Sequence, residues 1–107
     1  MPREKFKTLT EQMFYILLCL HQECSGANIL EIVKTMTDGR VNIGSGTLYD
    51  LLEQFTAEDI IKETKTEGRR RSYIITEKGR QMLAKDYDRI KCQATDYERV
   101  LKMEVDK

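Results

Sequence analysis

The sequence predicts a mainly helical domain with one small β-hairpin and a long helix at its C-terminal end. Three observations carry that expectation. Apolar residues recur at helical spacing in three short segments before residue 56. Two segments rich in β-branched residues then flank Gly68. From Gly79 onward nothing breaks a helix, and Leu83, Tyr87, Ile90, Ala94, Tyr97 and Leu101 follow one another at spacings of 4, 3, 4, 3 and 4.

The first helix is expected to be capped by Thr8 or Thr10 and to carry Met13, Phe14, Ile16, Leu17, Leu18 and Leu20. Those residues cover most of its circumference, which predicts a central core helix. Ser25 is the candidate cap of a second helix, whose buried face is Ile29, Leu30, Val33 and Met36, and Asp38-Gly39 ends it. Ser45 is the expected cap of a third, with Leu48, Leu51, Leu52 and Phe55 on one face. Ile60 to Thr66 and Ser72 to Thr76 read as two strands joined by Glu67-Gly68-Arg69-Arg70-Arg71, a hairpin with a basic tip. Tyr73 and Ile75 share a strand face, with Ile61 as a packing partner. Thr76 caps the last helix, and Gly79 falls at its third position, where glycine is tolerated. That helix runs from about residue 77 to 105, roughly 43 Å at 1.5 Å per residue. It is too long to bury its whole seam on so small a body, so it reads as a dimerisation helix.

With 107 residues the chain has the length of one domain. Its longest apolar run, Met13 to Leu20, is eight residues, far short of a membrane span. There is no signal-peptide pattern, and three cysteines without a tight framework point to a reducing cytoplasm. The net charge of zero hides a division: residues 9–59 sum to −6, while residues 60–80 sum to +4. A polyanion responds to the local patch, not to the total.

Three short helices, a basic hairpin and a long helix, in that order, describe a winged helix-turn-helix dimer. The residues narrow this further. Gly44-Ser45-Gly46-Thr47-Leu48-Tyr49-Asp50-Leu51-Leu52 resembles the recognition-helix signature of PadR-like transcriptional regulators. Gly68 to Gly79, with Tyr73, Thr76 and Gly79 in a Tyr-x-x-Thr-x-x-Gly pattern, looks like that family's wing and the start of its last helix. The resemblance covers residues 8–83. It departs at Asp50, where the family usually has Pro, and at Glu58-Asp59, where it usually has Gly.

The resemblance implies a DNA-binding regulator of the small type, most often a repressor, built from residues 1–76 as the DNA-binding unit and 77–107 as the dimerisation helix. Its partner would be double-stranded DNA with a palindromic operator, and no cofactor is implied. Ser45, Gly46, Thr47 and Tyr49 would approach DNA from the third helix, with Gln54 farther along it; for Tyr49, core packing is an equally weighted reading. Lys65, Arg69, Arg70 and Arg71 would neutralise phosphates from the wing, and Lys5 and Lys7 would add a basic arm. Such regulators are often controlled by small molecules; an effector at the dimer interface would meet Met13, Tyr15, Tyr87, Ile90 and Tyr97, although core and seam packing is the better reading of all five, because apolar residues at helical spacing are usually core.

Other chemistry is poorly served. Cys19, His21 and Cys24 suggest a metal, but Cys19 and His21 lie about 200° apart on a helix, and Cys92 is the one further cysteine to complete a tetrahedral set. Cys24 has no evident resolving partner as a redox sensor. No phosphate-binding glycine loop or nucleophile–base pair is present to suggest an enzyme. The alternative function is a winged-helix protein-interaction module, whose acidic body would suit a basic partner.

Overall fold

The computed structural model describes residues 8–105. The elements run α1 (Glu11–Cys19), β1 (Cys24–Ser25), α2 (Gly26–Met36), α3 (Ser45–Ala57), β2 (Ile61–Glu67), β3 (Arg70–Ile75) and α4 (Glu77–Val105). The three strands form one antiparallel sheet in the order β1-β3-β2. The expected fold class is therefore the observed one, with β1 as an addition.

Thr10 caps α1, its side chain accepting from the Met13 N–H at 3.2 Å. Ile16, Leu17 and Leu20 are fully buried, whereas Leu18 is 37% exposed. The helix thus covers three sides rather than the whole circumference. Ser25 caps α2, accepting from the Asn28 N–H at 3.3 Å, as its position predicted. Ile29 and Val33 are buried, Leu30 is half-buried, and Met36 lies on the exposed side at the helix end. The helix closes through the Gly39 N–H, which donates to the Lys34 carbonyl at 2.8 Å with Gly39 at φ 77°.

The core joins these residues to Leu48, Leu51, Leu52 and Phe55 of α3, to Ile60 just before β2, and to Ile61, Tyr73 and Ile75 of the sheet. Ile61 pairs directly with Ile75. The strands β2 and β3 are joined by a two-residue turn, Gly68-Arg69, with Gly68 at φ 60°. Pairing reaches Glu67–Arg70, so toward the turn β2 extends one residue and β3 two residues beyond the expected strands, while Ile60 and Thr76 at the base fall outside them. A register shift between Glu63 and Lys65 makes Thr64 a bulge residue.

Packing at the start of α4 is close. Thr76 accepts from the Gly79 N–H at 3.1 Å and donates to the Asp59 carbonyl at 2.6 Å. A Cβ on Gly79 would stand 2.3 Å from the Ile60 carbonyl oxygen. Glycine here is required by contact with the sheet, beyond being tolerated near a helix start. Leu83 and Asp86 are the last α4 residues buried in the chain; Leu83 belongs to its own core and not to an open seam. Asp86 accepts from the Leu9 N–H at 3.4 Å and from Arg89 Nε at 2.9 Å. Beyond it every described side chain is exposed. The projecting helix gives extents of 62 × 40 × 22 Å and a radius of gyration of 16.3 Å, against about 13 Å for a compact chain of this length.

Candidate nucleic-acid interface

Leu48, Leu51, Leu52 and Phe55 hold α3 against the core, which turns its other side to solvent. Ser45, Gly46, Thr47, Tyr49 and Asp50 are all exposed. Ser45 is the first helical residue and not the cap; Gly44 takes the cap position, without a side-chain hydrogen bond. The physical reason is local. Gly44 carries the extended φ −68°, ψ 146° of a cap residue, while Ser45 already has helical geometry. The first N–H groups of α3 are therefore open to solvent or to an anion, and the Ser45 hydroxyl is exposed beside them.

Tyr49 is neither core nor fully free. Its ring edge rests over Gly26 of α2, where an added Cβ would come within 2.9 Å, yet half of its surface is exposed. Asp50 accepts from Gln54 Nε2 at 2.8 Å.

The wing stands across a groove of about 1130 Å³ from α3. Tyr49, Glu53 and Thr56 line one wall; Glu63, Arg69, Arg71 and Tyr73 line the other. This groove brings Tyr49 together with Arg69, Arg70 and Arg71, but Lys65 lies elsewhere, in a smaller hollow with Glu23 and Asn28. Lys65 Nζ is 3.8 Å from Glu23 and 3.5 Å from Glu67, and Arg71 Nε is 3.7 Å from Glu63. Arg70 donates to Asn28 Oδ1 at 3.3 Å. Arg69, at the turn, has no ion-pair partner among the described residues. All of these side chains are largely exposed, so their ion pairs are weak and can be exchanged for phosphate at little cost. Burial, and next the Glu63 carboxylate, raises the pKa of the Tyr73 phenol, with Arg71 opposing. It therefore stays a neutral hydroxyl at the groove wall.

The sequence pattern missed two features here. Strand β1 is only two residues long and has no periodicity to read, yet it ties the start of α2 to the wing through Cys24–Tyr73 and Ser25–Ser72 pairing. Asp59 adopts φ 59° at the place where the resemblance led one to expect Gly. The signal was the position itself: aspartate is among the few residues besides glycine that enter this region routinely.

Cys19 and Cys24 are half-buried, and burial, helped by Cys24, pushes the Cys19 thiol up to about 11. Cys92 is exposed on α4. No group of three or more His, Cys, Asp or Glu side chains is placed to hold a metal among the described residues. Lys5 and Lys7, the expected basic arm, lie outside the described residues.

The family model of the transcriptional regulator PadR-like family matches residues 16–85, from the core of α1 through the wing and into α4. The chain belongs to the PadR-like family. PadR-like proteins are DNA-binding regulators of transcription, and neither the family nor its fold is that of an enzyme. Solved structures agree on the fold. A transcriptional regulator from Clostridium thermocellum superposes with a TM-score of 0.72 at 22% identity, covering 80% of this chain and 88% of its own. A PadR-like regulator from Bacillus cereus gives 0.68 at 22%, covering 82% and 88%. RosR from H. salinarum gives 0.67 at 20%, covering 92% of each chain. No curated protein matches the sequence significantly. No described helix is long and apolar enough to cross a membrane.

Proposed function

We propose that this PadR-like protein is a cytoplasmic homodimeric repressor that binds a palindromic operator. The observation that carries the reading is the state of α4. Tyr87, Ile90, Tyr97 and Leu101 stand 39–66% exposed along one seam of a helix that leaves its own core at Asp86. Ala94 completes that seam and is exposed as well. Apolar residues at heptad spacing that none of the described residues buries are suited to a second copy. Such a dimer would present two copies of α3 to successive major grooves, about 34 Å apart.

In this reading residues 1–76 contact DNA and residues 77–107 make the dimer, although the first turns of α4 also complete the core of the first unit. Ser45, Gly46 and Thr47 approach phosphate and base edges at the open start of α3. Tyr49 contacts sugar or phosphate from the groove, and Arg69, Arg70, Arg71 and Lys65 neutralise phosphates. An effector, where one acts, would sit at the dimer interface near Met13, Tyr15, Tyr87, Ile90 and Tyr97.

Light scattering followed by salt-dependent binding to DNA fragments tests both parts. A dimer that selects one palindromic fragment is the expected result. Replacing Arg69 and Arg70 together by Ala should weaken binding to any duplex and lower the slope of log K against log salt by about 2. An unaltered slope would remove the wing from the interface. A dimer without preference for any fragment would instead favour a protein-interaction module, for which the two carboxylates on the exposed side of α3 offer a site for a basic partner.

A further inference from the structure

The exposed side of α3 poses an electrostatic problem for a helix that enters DNA. The segment Ser45–Ala57 contains no Lys or Arg and two carboxylates, Asp50 and Glu53. At 100° per residue, Gly46 and Ala57 point directly away from the buried stripe, and Asp50 and Glu53 stand about 30° to either side of that direction. Both carboxylates therefore face whatever the helix faces. Their surroundings differ. Glu53 lines the groove toward the wing arginines. Asp50 lies on the other side, one turn nearer the N-terminal end that enters the groove first. It has no cation partner among the described residues, and its one hydrogen bond comes from Gln54 Nε2 at 2.8 Å.

That bond occupies Asp50 Oδ2 and leaves two acceptors, Asp50 Oδ1 and Gln54 Oε1, without a hydrogen bond among the described residues. Phosphate repels such a pair, so Asp50 adds nothing to general affinity for DNA. In the major groove, acceptors are satisfied by exocyclic amino groups. Cytosine offers N4–H₂ with no acceptor of its own beside it, the nearest being O6 of its paired guanine. Adenine offers N6–H₂ next to the N7 acceptor, which repels a carboxylate. Guanine and thymine present acceptors throughout, apart from the thymine methyl.

We propose that Asp50, held by Gln54, is a specificity-determining residue that selects a cytosine in each half-site. The proposal rests on the DNA-binding reading above and sharpens it. Asp50 stands where the family usually has Pro, so this preference belongs to this chain.

The test is selection from a random duplex library with the full-length protein, followed by anisotropy titrations of single-base variants. The wild type should enrich half-sites with a fixed cytosine, and exchanging that C·G pair for T·A should weaken it at least about fivefold. Asp50→Ala should lose the preference at that position and keep the others. Asp50→Asn should move it toward adenine, whose N6 and N7 an amide meets together. Both substitutions are at an exposed helical position, and circular dichroism melts should match the wild type. If Asp50→Ala retains every base preference and merely binds all duplexes more tightly, the proposal is overturned while the DNA-binding reading stands. A wild type that binds all duplexes alike, or none, overturns that reading and the proposal with it.

Discussion

Up to Asp86, α4 packs as a core helix. Gly79 lies against the Ile60 carbonyl, Leu83 is buried, and Asp86 reaches across to the Leu9 backbone. From Tyr87 onward the same helix has no described side chain out of solvent. Its apolar spacing continues across this change without a break. The contrast teaches that periodicity reports the presence of an apolar stripe, and only the rest of the structure says what covers it. Leu83 opens the heptad seam in sequence, but its own domain uses it. Tyr87, Ile90, Ala94, Tyr97 and Leu101 continue the pattern, and none of the described residues buries them.

Substitutions on either side of Asp86 should therefore act on different equilibria. The largest effect is expected at Leu83. Removing its buried side chain as Leu83→Ala should cost about 2–5 kcal/mol of chain stability, read by urea denaturation. A loss below about 1 kcal/mol would place Leu83 with the exposed half after all. Ile90→Lys should leave the secondary structure intact while shifting the protein from dimer to monomer in light scattering, and it should abolish the concentration dependence of the melting temperature. A monomeric wild type would remove the contrast altogether.

The smallest effect concerns the seat of the embedded half. Asp59 holds φ 59° directly before the Ile60 contact and accepts from Thr76. Asp59→Gly should relieve that backbone and raise stability by up to about 1 kcal/mol, without altering dimerisation. A destabilised variant would show that the aspartate side chain contributes more than its backbone costs.

These same residues explain how far the sequence could be read. The helices, the wing and the long α4 were legible because their apolar residues repeat. Ser25 and Thr76 were legible as caps because they are the residue types that caps need, and the same reasoning narrowed the first cap to Thr8 or Thr10, of which Thr10 serves. The cap of α3 was not, because Gly44 works through backbone geometry and leaves the hydroxyl of Ser45 as a decoy. Leu18 sits nearly opposite the buried face of α1 and Met36 is the last residue of α2, and both are exposed. Strand β1 carries no pattern, and the tight contact at Gly79 depends on Ile60, nineteen residues away. Within the interface, the arginines of the wing could be named from composition. Their division among Glu63, Asn28 and open solvent follows from strand register, which a bulge at Thr64 resets.

A helix fixed at one end and free at the other is a mechanical arm. In α4 the anchor is the Gly79–Leu83–Asp86 base, and about 28 Å of uninterrupted helix extends beyond it. Tilting that arm by about 10° moves its base by about 5 Å relative to its tip, about one-seventh of the 34 Å groove repeat. Paired along the seam from Tyr87 to Leu101, two such arms would turn small changes in how the helices cross into changes in the distance between the two reading heads. The spacing of operator half-sites that the protein accepts would then be set far from any residue that touches DNA.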